Sequence, residues 1–151
     1  MTDVPDLADH TLSILIGIAE RITADAVDLG LAVGGFHDLR RSHGVVFYML
    51  DPEGSRITDL ARRARITKQG MGQLVAELEA MGYVARRPDP TDGRAKLVVL
   101  TAKGHAAVEA GVAALAAMEA QWTAHIGERR ARELRATLID ICAAFGREHI
   151  R

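Results

Sequence analysis

The run RITDLARRARITKQGMGQLVAELEAMGYVARRPDPTDGRAKLVVL, residues 56–100, decides the reading of this chain. Within it Met71, Leu74, Val75, Leu78 and Met81 recur at the three- and four-residue spacing of a helix with one buried face. Thr67 stands where an N-cap belongs, its hydroxyl placed to accept from a free backbone N–H of the first turn. Ile66 and Met71 are spaced for a hydrophobic staple. Gly82 is a natural C-terminal stop. A shorter helix precedes, expected to start with Thr58 as N-cap and to run through Asp59 to about Arg63, with Leu60 and Ala64 inward and Ile57 just outside. Only the turn 64–66 separates the two, which fits a helix-turn-helix. Beyond Gly82, residues 83–87 and 96–100 read as strands. Val98 and Leu100 alternate with Leu97 and Val99, so both faces of the second strand are expected to be covered. Residues 88–95 are rich in Pro, Asp and Gly. They are expected to form a long tip projecting into solvent, too long for a two-residue hairpin turn.

The chemistry lies opposite the apolar stripe. Lys68, Gln69, Gly72 and Gln73 open that face. Lysine meets phosphate or guanine acceptors, and glutamine can pair with adenine through two hydrogen bonds. The first turn of a recognition helix is where such side chains reach base edges. Gly70 and Gly72 each cost up to ~1 kcal/mol in a helix interior relative to alanine. Two readings of them stay open: close approach of the helix to DNA, or tight packing against another helix. The expected class is mainly α with a small β wing, a winged helix-turn-helix that reads duplex DNA.

Residues 57–104, ITDLARRARITKQGMGQLVAELEAMGYVARRPDPTDGRAKLVVLTAKG, resemble the MarR family of bacterial transcription regulators. The segment DPTDGR resembles the family's wing pattern, D-x-R-D-x-R. Asp89, Asp92 and Arg94 match it, and Thr91 stands where the pattern has an arginine. The resemblance implies a homodimer whose two recognition helices enter successive major grooves of a pseudo-palindromic site, with the wings on flanking backbone or minor groove. It also implies a repressor that responds to a small aromatic or anionic effector bound between the dimer part and the DNA part. The expected DNA-binding residues are Thr67, Lys68, Gln69, Gly72, Gln73, Arg65, Arg87, Asp92, Arg94 and Lys96. Asp92 is expected to orient an arginine or brace the wing. Ile14, Ile18, His43, Phe47 and Met118 are the candidate effector pocket, against the alternative that they are ordinary core.

Charge agrees with this placement. The chain has 151 residues and a net charge of −1. Residues 1–39 hold seven Asp/Glu and one Arg (−6), residues 40–103 twelve Lys/Arg and seven Asp/Glu (+5), and residues 104–151 six of each. A basic middle beside an acidic end fits a DNA-binding part, against the alternative of an ordinary solvated charged face. With 48% hydrophobic residues but only 4% aromatics, Ala, Leu, Val and Ile must do the packing, which suits helices.

The rest of the chain reads as helices. The first is expected over about 6–29, with Leu7, Thr11, Ile14, Leu15, Ile18, Ile22 and Ala26 on one stripe and Leu12, Ile16 and Ala19 beside it. An apolar band that wide needs more than one partner. A second helix is expected over about 38–50, with Leu39, His43, Val46, Phe47 and Leu50 inward. Arg40 and Arg41 near its start oppose the helix dipole and are expected in solvent. Residues 51–54, DPEG, form a turn. Thr101 caps a long helix to about Ala124, whose heptad-like seam is broken at Glu119, where Met118 is expected to fill in. Gly127 interrupts, and a last helix runs from Glu128 to about Glu148. The expected organisation is an N-terminal dimerisation helix (1–35), a winged helix-turn-helix domain (36–104), and C-terminal helices completing the dimerisation region (105–151).

Other functions find little support in the residues. No Gly-rich nucleotide loop occurs. The six histidines, His10, His37, His43, His105, His125 and His149, include no pair three or four apart, so no metal or other cofactor is expected. Cys142, the only cysteine, is expected as core filler near Ile141 and Phe145. Ser13, Ser42 and Ser55 lack a nucleophile-elbow context, so the expectation is that the chain is not an enzyme. The alternatives are a winged helix used only for protein contact, and a small enzyme with a site across a dimer. Asp3, Asp6 and Asp9 are the wrong flank for a secretory signal, and residues 12–19 are too short to span a bilayer, so the protein is expected in the cytoplasm with no membrane partner.

Overall fold

The computed structural model describes Leu7 and residues 10–145. The elements run α1 (Leu12–Val33), α2 (Arg41–Met49), α3 (Ile57–Ala64), α4 (Lys68–Ala80), β1 (Val84–Asp89), β2 (Asp92–Leu100), α5 (Ala102–Ile126) and α6 (Glu128–Phe145). This is the mainly α fold with a small antiparallel wing that the sequence implies. The expected helix start at Asp6, the end at Glu148, the acidic residues Asp3, Asp6 and Asp9, and His149 lie outside the described residues.

The core sits in the winged body. Val46, Leu60, Met71, Val75, Leu78, Tyr83 and Val98 are wholly buried. Tyr83 is its largest member and the junction of several elements. Its N–H donates to the Leu78 carbonyl at 2.9 Å, and the Gly82 N–H donates to Glu79 at 3.0 Å. This pair of bonds, with Gly82 at φ +80°, is the Schellman end of α4. The Tyr83 carbonyl accepts from the Thr101 N–H at 3.0 Å, and the Thr101 hydroxyl accepts from Gly104 to start α5. A Cβ on Gly104 would run into that same Tyr83 carbonyl, so glycine lets α5 lie against β1. The Tyr83 ring meets Phe47 edge-on at 6.2 Å and Phe36 at 6.1 Å, and Lys103 lies 4.0 Å over it.

Several element limits differ from expectation, each for a local reason. Thr11, expected on the stripe of the first helix, is its N-cap, with extended backbone. Nor does α1 stop at Leu29. Gly30 is a contact point where a Cβ would collide with Ala114 of α5, and the chain turns only at Gly34 and Gly35. α2 starts at Arg41 rather than near Asp38, because Asp38 is bonded by the Tyr83 hydroxyl and Lys103. Thr58 is not an N-cap. Ser55 exchanges backbone bonds with Val98 at 3.0 and 2.9 Å, which holds the chain extended up to Arg56, so α3 begins at Ile57. Arg63 then grips both oxygens of Asp51 at 2.8 Å and closes the 51–54 turn against α3.

The wing departs furthest. Its strands reach Asp89 and Asp92, which pair across a two-residue turn, Pro90 and Thr91. The turn thought too short for this segment is the one used. The extra residues are taken up in β2, where the register moves from Asp89↔Asp92 to Pro88↔Lys96 and leaves Gly93, Arg94 and Ala95 as a bulge. Nearer its base, β2 buries both Val98 and Val99, so it is covered on both faces as expected.

The terminal helices are not covered by their own chain. α5 packs on α1 and α6, yet neither α1 nor α6 has a buried residue. Leu12, Ile14, Ile16, Ile22, Leu134 and Leu138 are all exposed. Cys142, expected as core filler, is likewise exposed on α6, because the helix has no second partner here. Met118 is buried and Glu119 turns outward to Arg135 at 2.6 Å, which repairs the seam as expected.

Candidate nucleic-acid interface

α4 is built to present one face. Met71, Val75 and Leu78 anchor it in the core, and Thr67 caps its start by accepting from the Gly70 N–H at 3.0 Å. Ile66, expected to staple onto Met71, is exposed instead. The turn before it is held by Arg65 in a left-handed conformation, φ 54°, with Ile66 donating to the Ala61 carbonyl at 3.1 Å. A non-glycine residue there costs about 1–2 kcal/mol, offset by the caps on either side. Lys68, Gln69 and Gln73 are left exposed. A Cβ on Gly72 would meet nothing, and one on Gly70 would meet only Thr67. Packing against another helix therefore does not explain these glycines. They leave a patch of bare backbone on the outward face of the recognition helix.

The wing is braced at its tip. Asp89 is buried, and its carboxylate accepts from the Thr91 hydroxyl at 2.7 Å, the Thr91 N–H at 2.8 Å and Arg56 Nε at 2.7 Å. The hydroxyl, the backbone N–H and the arginine together hold the Asp89 carboxyl at about 2, below the ordinary 3.8. Asp92 Oδ1 accepts from the Arg94 backbone N–H at 3.1 Å, and its Oδ2 lies 3.6 Å from Arg56. Arg87, Arg94 and Lys96 extend from this ribbon into solvent. Thr91, standing where the family pattern has an arginine, closes the turn instead.

Behind the interface lies a set of long-range ion pairs. Arg40 and Arg41, expected free in solvent, are both engaged. Arg41 reaches Asp25 and Asp28 of α1, and Arg40 reaches Glu77 of α4. Glu77 also accepts from His43 and from Gln73, at 3.0 and 3.3 Å. The hydrogen bond from buried His43, with those of Arg40 and Gln73, holds the Glu77 carboxyl below its usual range. Sequence reasoning missed Arg56, Arg40 and Glu77 because their partners lie more than thirty residues away. The signal for Asp89 was its match to the wing pattern.

The five pocket candidates lie in separate parts of the fold. His43 and Phe47 belong to the winged body, His43 within the Glu77 network and Phe47 against Tyr83. Ile14 and Ile18 lie along α1. Met118 lines a groove of 730 Å³ between α5 and α6, together with Leu115, Trp122, Leu134 and Leu138. Among the described residues no group of three His, Cys, Asp or Glu is placed to hold a metal.

The Asp89 brace has a pH signature. A carboxyl whose folded value is lowered stabilises the fold fully above its unfolded value and loses that contribution as pH falls to the folded one. Asp89→Asn is expected to be less stable than the native chain at neutral pH. The gap should shrink below about pH 4 and close near pH 2. Urea unfolding from pH 2 to 7 checks this, and a gap independent of pH would contradict it.

Comparison with known proteins follows the same outline. The MarR family profile matches residues 37–95. The HTH-type transcriptional repressor Rv2887 of Mycobacterium tuberculosis is 30% identical over 117 residues, 78% of this chain and 79% of the relative. The structure of M. tuberculosis MarR family protein Rv2887 in complex with salicylic acid superposes with a TM-score of 0.64 at 28% identity, covering 91% of this chain and 99% of that one. CouR from Rhodococcus jostii RHA1, bound to p-coumaroyl-CoA, gives 0.67 at 26% identity, covering 94% and 96%. The Staphylococcus aureus MepR–DNA complex gives 0.69 at 21% identity, covering 91% and 100%, a likeness of fold alone. By its capped recognition helix, its braced wing and these relatives, the chain belongs to the MarR family of transcription regulators.

Proposed function

We propose that this regulator binds a pseudo-palindromic duplex site as a homodimer, represses transcription there, and is released or retuned by a small aromatic or anionic effector. The observation that carries the reading is the outward face of α4: a capped first turn with Lys68, Gln69 and Gln73 exposed around the bare backbone of Gly72. Thr67, Lys68, Gln69, Gly72 and Gln73 enter the major groove. Arg65, Arg87, Arg94 and Lys96 meet backbone or minor groove, and Asp92 holds the wing tip in shape.

The uncovered apolar residues of α1 and α6 favour a dimer, with residues 1–35 and 105–151 forming its shared part and 36–104 each reading head. An aromatic acid is the favoured effector class, because two relatives hold salicylic acid and p-coumaroyl-CoA. We place its site between the dimer part and the reading head, with Ile14, Ile18, His43, Phe47 and Met118 as candidate lining. A cytoplasmic location goes with DNA as the ligand, and among the described residues no helix is long and apolar enough to cross a membrane.

Selection of duplex fragments by the purified protein, followed by affinity measurement on the best site, tests the reading. Recovery of no preferred sequence would contradict it. On that site Arg94→Ala is expected to bind less well, with a salt slope lower by about one unit if Arg94 meets a phosphate. If the arginine enters the minor groove, the loss is greater on A·T-rich flanks. Thermal stability should stay at the native level.

Gly72→Ala should move stability and binding in opposite directions. A Cβ there meets nothing in the free protein, so the helix should gain up to ~1 kcal/mol. DNA affinity should fall, because the methyl group intrudes on the closest approach. Calorimetric melting and titration of the same preparation check both signs, and unchanged affinity would remove close approach as the reason for the glycine.

A further inference from the structure

We infer that Glu77 is a positioning residue for base reading: its carboxylate, clamped by Arg40 and His43, fixes which way the Gln73 amide faces a base pair. The inference rests on the proposed reading of Gln73 as a base-contacting residue and goes beyond it.

His43 is almost wholly buried, and its Nδ1 accepts from the Arg40 backbone N–H at 3.1 Å. Its proton is therefore on Nε2, which donates to Glu77 Oε2 at 3.0 Å. The same Oε2 takes the Arg40 guanidinium. One carboxylate oxygen is thus pinned by two donors, one from the N-cap of α2 and one from α2 itself, the latter immobilised in the core. The other, Oε1, accepts from Gln73 Nε2 at 3.3 Å, one helical turn back on the exposed face. A carboxylate accepts only, so the Gln73 amide must keep its nitrogen toward Glu77.

With one N–H engaged, the second N–H and the carbonyl oxygen remain free. That is the donor and acceptor pair that meets N7 and N6 of adenine. Guanine offers two acceptors at the same edge, which an amide held with its oxygen outward does not match. The clamp therefore favours adenine over guanine at the base pair that Gln73 reaches. Arg40 and His43 also offset a negative charge that would otherwise face DNA unaccompanied. A Gln–Glu pair one turn apart also steadies a helix slightly. That effect has no bearing on which base is chosen, and base choice is the readout.

Glu77→Gln turns the logic over. Arg40 and His43 are both donors, so the oxygen of the new amide stays with them and its NH2 takes the place of Oε1. Gln73 must then turn its own oxygen inward and present donors outward. Affinities of the full-length protein are measured on its selected duplex and on the three other base pairs at the position where Gln73→Ala relaxes preference. The native chain is expected to favour adenine over guanine there by ~10-fold or more. In Glu77→Gln that ratio should fall below about twofold or invert toward guanine. Adding Glu77→Gln to Gln73→Ala should change the ratio no further. Arg40→Gln, at a largely exposed side chain, serves as a second variant that loosens the clamp from the other end and should lower the ratio in the same direction. A native ratio retained in Glu77→Gln and in Arg40→Gln would overturn the inference and leave the regulator reading intact. A native chain with no base preference at any position would overturn both.

Discussion

Four backbone and side-chain commitments meet at Tyr83, and the rest of the winged body depends on them being met together. Its N–H ends α4, its carbonyl takes the amide that precedes α5, its hydroxyl holds Asp38 ahead of α2, and its ring packs on Phe36 and Phe47. Truncating a buried aromatic side chain of this size costs about 3–5 kcal/mol by packing alone. Here it would also free the segment that joins the recognition helix to the wing. Burial, followed by the bond to Asp38, pushes the phenol above its usual range, so the hydroxyl stays a donor at any working pH. Asp38 is held below its usual range chiefly by the same bond.

Around that junction, charge fixes orientation more than it adds stability. Exposed pairs such as Arg41 with Asp25 and Asp28 contribute little to folding free energy in water. Their geometric effect is larger. Neighbouring arginines point in opposite directions, Arg41 to α1 and Arg40 to α4, so the start of α2 is tied to both helices. At the wing, Asp89 ties the turn to Arg56 at the start of the helix-turn-helix, and Asp92 adds to it. The recognition helix and the wing are thus each held by a carboxylate, Glu77 and Asp89.

What was legible in the sequence was local. Thr67 and Gly82 announced the two ends of α4 because capping chemistry acts over three or four residues, and the structure uses both as read. The long α5 was equally plain from Thr101 and Gly127. Failures came where a distant partner overrode a local signal. Thr58 looks like a cap until Ser55 is bridged to Val98, and Arg40 and Arg41 look solvated until α1 and α4 bring carboxylates to them. The wing was misread for another reason: a loop of eight residues can hide a two-residue turn when a bulge absorbs the surplus. The exposure of Lys68, Gln69 and Gln73 on α4 followed from the apolar stripe opposite them. The Glu77 clamp behind them did not.

The terminal helices carry the last constraint. Ile14, Ile16, Ile22, Leu134, Leu138 and Ile139 leave apolar side chains in water on both α1 and α6. A second copy would cover such faces and set two recognition helices about one DNA turn apart, roughly 34–36 Å, as half-sites require. Native mass spectrometry of the purified protein with its selected duplex tests this most directly. Coverage by a second copy requires a complex holding two chains of 16.3 kDa on one duplex, and a free protein that is already dimeric at low micromolar concentration. A folded monomer that binds the duplex as a single chain would contradict it.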